Sequence, residues 1–148
     1  MRDYLLKLGI NAKRNSLESI SSKKKNKVLK DYISLISRNH SEIISENQRD
    51  IEQAKKNKIK KNLLNRLFLD KKKILQITNS IKTIISFKDP VNQILEKWKR
   101  PNGLKIEKKT VPLGVIAVIY ESRPNVTSDI VSLCFKSGNP VILKGGSE

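Results

Sequence analysis

Two short apolar runs near the end of the chain limit the folds open to it more than any other feature. Residues 115–119 (VIAVI) are uninterrupted, rich in β-branched side chains and too short for a helix, as is typical of a strand buried on both faces of a sheet. Residues 141–143 (VIL) form a second run of the same type. We therefore predict two strands, the first of them in the centre of a sheet.

A helix is predicted between these strands. Residues 126–135 repeat apolar side chains at helical spacing, and the turn cluster SGNP places Gly138 where a helix commonly ends. Strand, helix and strand in this order form a βαβ unit, and a right-handed crossover makes the two strands parallel. Ligands of such sheets bind beyond the carboxyl ends of the strands, which here are residues 120–125 and 144–148.

The preceding part of the chain has mainly helical patterns. Ser21 or Ser22, Ser41 and Asp70 are predicted to cap amphipathic helices. The helix after Asp70 has the clearest apolar face, formed by Ile74, Ile77, Ile81, Ile84 and Ile85. The run KKNKIKK at 55–61 is predicted to be a solvated loop. The fold class is therefore α/β, with a helical segment at 1–103, a strand at 104–110 and the βαβ unit at 111–148.

The βαβ unit carries a family resemblance. The stretches VPLGVIAVIYESRPNVTSD (111–129) and LCFKSGNPVILKGGSE (133–148) closely resemble the glutamate-5-phosphate reductases, or gamma-glutamyl phosphate reductases, of proline biosynthesis. These enzymes are a branch of the aldehyde dehydrogenase superfamily, and the helical part resembles them more loosely. The resemblance implies that residues 111–148 begin a parallel, Rossmann-like NADP-binding domain. It covers about the first third of a family member, so we expect the chain to be a truncated N-terminal portion.

The resemblance also implies an activity and a cofactor site. Family members reduce L-glutamate 5-phosphate with NADPH to L-glutamate 5-semialdehyde and phosphate, through a thioester on a cysteine. By resemblance, Lys144, Gly145, Ser147 and Glu148 would bind the cofactor. The alternative is that Gly145 and Gly146 only turn the chain out of the sheet. The resemblance further implies that strand 104–110 could join an oligomerisation flap between copies of the chain.

Arg123 and Asn125 are the candidate substrate-binding residues. They stand between the first strand and the helix, where backbone N–H groups and the helix dipole favour an anion, and the guanidinium adds a bidentate donor. The alternative is that Asn125 only starts the helix while Arg123 pairs with Glu121 or Asp129. The sequence leaves these two interpretations equally open.

No residue of this chain is predicted to be catalytic or to bind a metal. Cys134 is the only cysteine, but it lies in register with Ile130 and Val131 on the apolar face of the predicted helix, so we predict a buried structural residue. The family's nucleophilic cysteine belongs to another motif that this sequence lacks. His40, the only histidine, is predicted to be a surface or capping residue near a helix end.

The net charge of +17 raises a different class of function. It arises wholly in residues 1–110, which contain 28 basic and 11 acidic residues. Lysine, isoleucine and asparagine have A- and T-rich codons, so compositional drift explains their 24, 19 and 13 occurrences. The alternative is a non-catalytic basic protein that binds nucleic acid through its lysine-rich helices. Without an apolar signal or membrane segment, the protein is expected to be cytoplasmic.

Overall fold

The computed structural model of the chain describes residues 2–16, 18–121 and 123–146. Five helices come first: α1 (Arg2–Asn15), α2 (Ser22–Arg38), α3 (His40–Lys56), α4 (Lys61–Leu67) and α5 (Lys71–Ser86). They are followed by β1 (Ile94–Lys99), β2 (Lys105–Lys109), β3 (Ile116–Ile119), α6 (Pro124–Lys136) and β4 (Val141–Lys144). Within the described residues, no helix combines the length and apolar character that crossing a bilayer requires.

The core lies between α2 and α5, and Phe135 of α6 packs against it. It consists of Leu29, Ile36, Leu69, Ile74, Ile77, Ile81 and Ile84. Burial of each of these side chains contributes roughly 1.5–3 kcal/mol to folding. Ile74, Ile77, Ile81 and Ile84 all lie on α5, so the predicted apolar face of this helix is confirmed. The predicted caps Ser21 and Asp70 are also confirmed, since Ser21 Oγ accepts from Lys24 N at 3.4 Å and Asp70 Oδ1 accepts from Lys73 N at 2.7 Å.

Two local predictions in the helical segment were wrong. Ser41 does not cap α3, which begins at His40 with Asn39 as its N-cap. Asn39 N donates to Leu35 O and Asn39 O accepts from Ile43 N, so one residue closes α2 and opens α3 and leaves no turn in which Ser41 could act as a cap. The predicted loop at 55–61 is shorter than expected, because α3 continues to Lys56 and α4 begins at Lys61.

Strands β1 and β2 form an antiparallel hairpin in which Trp98 pairs with Ile106. The strand predicted after the turn at 101–103 is present as β2. Sequence patterns did not predict β1, which lies inside the 1–103 segment, because the apolar residues of ILEKWK fall on both faces and give no period of two. The ammonium groups of Lys109, on the same strand, and of Lys97, across the hairpin, lower the pKa of Glu107 to about 2.

The predicted βαβ unit is confirmed. Strands β3 and β4 are parallel, with Ile116 opposite Val141 and Ile119 opposite Lys144, and α6 connects them. Among the described residues β3 pairs with β4 alone, and Ile119 is 84% exposed. The expectation of a central strand buried on both faces is therefore not met among the described residues, because Ala117 and Ile119 of β3 are exposed.

The amino ends of these strands are closed by the SGNP cluster. Asn139 Oδ1 accepts a hydrogen bond from Gly114 N at 3.0 Å, and Asn139 N donates to Cys134 O at 2.8 Å as the chain leaves α6. Gly138 has a φ of +74°, and a Cβ there would lie 3.2 Å from Pro112 Cγ. This part of the family motif is therefore structural, because it joins the end of α6 to the start of β3.

A buried ion pair joins α2 to the connection between α5 and β1, and Lys136 of α6 is bonded beside it. The Lys25 ammonium, on a residue only 2% exposed, lies 3.1 Å from Asp89 Oδ2. Lys136, also buried, donates to Asn26 Oδ1 at 2.7 Å and to the carbonyl oxygen of Ile85 at 3.0 Å. Burial alone would raise the pKa of Asp89, but the hydrogen bond from Val91 N and the Lys25 ammonium outweigh it, so this pKa is lowered.

Replacing Asp89 by Asn should lower the free energy of unfolding by about 3 kcal/mol at neutral pH, because the buried Lys25 ammonium would lose its counter-charge. Urea unfolding of the full chain measures this loss. Glu96→Gln is the matched control, since it breaks the exposed pair with Lys108 and should cost about 0.5 kcal/mol or less. Equal losses in the two variants would contradict the role assigned to the buried pair.

The same pair should make stability depend on pH. The lowered pKa of Asp89 means that its contribution is fully present above the unfolded-state pKa of about 3.9 and is lost as the pH falls through the folded-state pKa. The urea midpoint of the wild-type chain should therefore fall more steeply below about pH 4 than that of Asp89→Asn. Parallel pH profiles would show that Asp89 does not carry the effect.

Candidate functional site

The carboxyl ends of β3 and β4 lie side by side because the strands are parallel. Tyr120 N donates to Lys144 O at 3.1 Å, which extends the pairing one residue beyond β3. The chain then enters α6 with Pro124 in the first turn, a position that needs no N–H donor. Arg123 is the N-cap of α6, and its side chain makes no capping hydrogen bond. The N-terminus of α6 therefore lies at the same edge as the strand ends.

A cleft of about 580 Å³ opens at this edge. Its βαβ side includes Tyr120, Arg123, Thr127, Gly145 and Gly146. The Tyr120 hydroxyl and Thr127 Oγ1 are 2.6 Å apart, which fixes the end of β3 against α6. The cleft thus brings together Arg123, a predicted substrate residue, and Gly145, a predicted cofactor residue.

The opposite wall of the cleft is acidic. Three carboxylates on α3 line it: Glu42, Glu46 and Asp50. Sequence reasoning missed them, although their spacing of four residues places them on one face of a helix and was visible in the sequence. Facing carboxylates would repel an anion from that wall and favour its position beside Arg123.

Asn125 lies in a different place from Arg123. It lines a second cleft, of about 310 Å³, together with Arg66, Lys73, Ser80 and Asp129. Asn125 Nδ2 donates to Asp129 Oδ2 at 3.1 Å, and Ser80 Oγ donates to Asp129 Oδ1 at 2.8 Å. The two predicted substrate residues therefore stand on either side of Pro124, which lines both clefts.

The alternative for Arg123 was an ion pair with Glu121 or Asp129. Among the ion pairs that join described residues, neither of these is present. Asp129 instead accepts from Asn125 and Ser80. Arg123 is exposed at the cleft.

The predicted cofactor residues are described only in part. Lys144 is exposed at the end of β4, and its ammonium donates to the carbonyl oxygen of Gly145 at 2.6 Å. Ser147 and Glu148, the other two predicted contacts, lie outside the described residues. Groups of three or more His, Cys, Asp or Glu side chains that could hold a metal ion do not occur in the described part of the chain.

Cys134 and His40 lie away from the clefts at the strand ends. Cys134 is 7% exposed, as predicted, and burial raises the pKa of its thiol. Both properties oppose a thiolate nucleophile. His40 begins α3, and its Nδ1 lies 2.9 Å from the carbonyl oxygen of Ser37, close to the helix junction that the sequence indicated.

Comparison with known proteins gives consistent relatives. No protein-family model matches the sequence. The gamma-glutamyl phosphate reductase of Clostridium tetani is 45% identical over the whole of this chain, which covers 35% of that protein. The reductase of the same name from a Sulfurihydrogenibium species is 47% identical over 99% of this chain, which covers 33% of it.

Solved structures agree with these relatives. The crystal structure of gamma-glutamyl phosphate reductase from Thermotoga maritima matches 97% of this chain with a TM-score of 0.92 and 36% identity, and the chain covers 35% of it. The enzyme of the same name from Saccharomyces cerevisiae matches 95% of this chain with a TM-score of 0.90 and 33% identity, with 36% of it covered. This chain therefore spans about a third of the length of the proteins it matches.

The burial of Cys134 predicts slow reaction with thiol reagents. In the native chain, labelling by a disulfide reagent such as DTNB should be at least about tenfold slower than in the urea-unfolded chain, because the thiol is buried and its raised pKa reduces the thiolate fraction. Absorbance of the released thiol measures both rates. Equal native and unfolded rates would contradict the structural role of Cys134.

Proposed function

We propose that this chain, which belongs to the gamma-glutamyl phosphate reductase family by sequence and by fold, supplies part of the NADPH pocket and one wall of the substrate site of such a reductase. The whole enzyme would reduce L-glutamate 5-phosphate to L-glutamate 5-semialdehyde and phosphate, in proline biosynthesis. The observation that carries the proposal is the cleft in which Arg123 meets Gly145 and Gly146 at the carboxyl ends of parallel strands.

On the substrate side, Arg123 would bind an anionic group. Its guanidinium offers paired N–H donors that match the oxygens of a carboxylate or phosphate. The dipole at the N-terminus of α6, where Arg123 is the N-cap, favours negative charge at the same place. The carboxylates of α3 would direct an anion towards Arg123 and away from the opposite wall. Asn125, across Pro124, would contact the substrate from the neighbouring cleft.

On the cofactor side, the residues present fit a phosphorylated dinucleotide. The Lys144 ammonium is exposed and of the right charge for the 2′-phosphate of NADPH. Gly145 has no atom within 4 Å of the position that a Cβ would take, so a ligand can approach its backbone closely. Ser147 and Glu148 would complete the contacts to the ribose. When bound, the nicotinamide supplies the hydride that no side chain can provide.

The covalent step would need a thiolate from outside this segment. Cys134 is buried and its pKa is raised, so no described residue offers one at neutral pH. We therefore expect the 148-residue chain alone to give no detectable reduction of L-glutamate 5-phosphate.

The exposed β1–β2 hairpin would contribute to a homo-oligomer of a cytoplasmic enzyme, because Trp98 and Leu95 on β1 leave apolar surface available to a second copy.

Arg123→Ala should weaken binding of an anionic acyl phosphate to the full chain by about tenfold, because both guanidinium donors are lost. Titration with acetyl phosphate, followed by NMR chemical shifts, measures the affinity. Arg100→Ala is the matched control, since it removes the same charge from an exposed residue of the hairpin turn. Equal weakening in the two variants would show that Arg123 acts only through the net charge of the chain and would refute the proposed substrate site.

Lys144→Ala should weaken NADPH binding by about tenfold and NADH binding by much less, because only NADPH carries the 2′-phosphate. Fluorescence titration of the full chain with each dinucleotide measures the two affinities, and their ratio is an internal control for loss of folding. An unchanged ratio would refute the assignment of Lys144 to the cofactor phosphate.

A further inference from the structure

The orientation of the Asn125 amide is fixed by its neighbour. Asn125 Nδ2 lies 3.1 Å from Asp129 Oδ2, one helical turn further along α6. An ionised carboxylate has acceptor oxygens only, so the amino end of the amide must face Asp129. One N–H of Asn125 is thus committed, and among the described residues the second N–H and the carbonyl oxygen have no hydrogen-bond partner.

Asp129 is itself held from a second helix. Its other oxygen, Oδ1, accepts from Ser80 Oγ on α5 at 2.8 Å. Ser80 lies on the same helix as Ile77 and Ile81, which are buried in the core. The Asp129 carboxylate therefore has one oxygen bound within α6 and the other bound to α5, and it cannot rotate without losing one of these bonds.

The cleft beside Asn125 is suited to an anion. Arg66 and Lys73 line it, and Asp129 is the one carboxylate among the described residues of its lining. Lys73 is kept in place by its backbone partners, since its ammonium donates to the carbonyl oxygen of Phe68 at 2.5 Å. Two cations and one carboxylate line this cleft, so its net charge is positive and favours an anion.

We propose that Asp129 is a positioning residue of the substrate site: anchored by Ser80, it fixes the Asn125 amide so that the remaining N–H is presented to an oxygen of the acyl phosphate. The inference rests on the proposed function, because it takes Asn125 as a substrate contact. The competing explanation is that the pair only stabilises α6, as polar pairs four residues apart commonly do.

Removal of the anchor separates these explanations. Ser80→Ala and Asp129→Ala should each weaken acetyl phosphate binding to the full chain by about three- to tenfold, because the Asn125 amide becomes free to rotate. The two Asn125 side-chain N–H resonances should also move towards each other in the NMR spectrum. Tyr32→Phe is the matched control, because it removes another hydrogen bond to α6, the one of 2.9 Å to Ser128 Oγ. This variant should lose thermal stability as Ser80→Ala does and keep its affinity.

An exchange of the two side chains gives the sharpest test. In the double variant Asn125→Asp, Asp129→Asn the new amide can donate to the new carboxylate and still accept from Ser80, so the melting temperature should stay close to that of the wild type. Acetyl phosphate binding should nevertheless be weakened by about tenfold or more, since position 125 no longer presents an N–H. Wild-type affinity in the exchanged variant would show that the pair only stabilises the helix.

The outcomes also separate this inference from the proposed function. If Arg123→Ala weakens acetyl phosphate binding while Ser80→Ala and the exchanged variant do not, the positioning role of Asp129 is refuted and the substrate site at Arg123 stands. If Arg123→Ala and both Asp129 variants leave binding unchanged, the substrate site is refuted and the positioning role falls with it.

Discussion

The buried Lys25 ammonium requires a counter-charge, and the placement of Asp89 beside it determines how the helices meet the rest of the chain. Lys25 belongs to α2 and Asp89 to the connection between α5 and β1, so the pair closes a contact between parts of the chain 64 residues apart. A buried ammonium without a partner would be strongly destabilising. Burial lowers the pKa of the neighbouring Lys136, and Asp89 counteracts this effect, so one carboxylate serves two buried cations.

The two ends of the parallel strands β3 and β4 have different properties. At the amino end, Gly138 and Asn139 fit against Pro112 and Gly114, and little freedom remains. At the carboxyl end, Arg123 and Lys144 are exposed. The hydrogen bond between the Tyr120 hydroxyl and Thr127 Oγ1 holds the end of β3 against α6. The amino end is thus closed by packing, whereas the carboxyl end is available for ligands, as in other sheets with parallel strands.

Local patterns in the sequence were sufficient for much of the fold. The caps at Ser21 and Asp70, the apolar face of α5 and the βαβ unit depend on residues within a few positions of one another, and all are present. Predictions failed where a neighbouring strand or helix decided the local structure. Strand β1 is recognisable only by its pairing with β2, and the cap expected at Ser41 was displaced by the direct succession of α2 and α3.

The candidate site shows the same division. The sequence by itself determined which chemical groups follow β3 and β4, because the order of strand, charged loop, helix and glycine pair is written in the chain. Only the tertiary structure decided which groups share a cleft: it placed the α3 carboxylates opposite Arg123 and turned Asn125 towards Ser80 and Asp129. The reason is physical, since hydrophobic periodicity specifies which face of an element is buried, whereas the neighbour that covers the face is set by helix packing between distant segments.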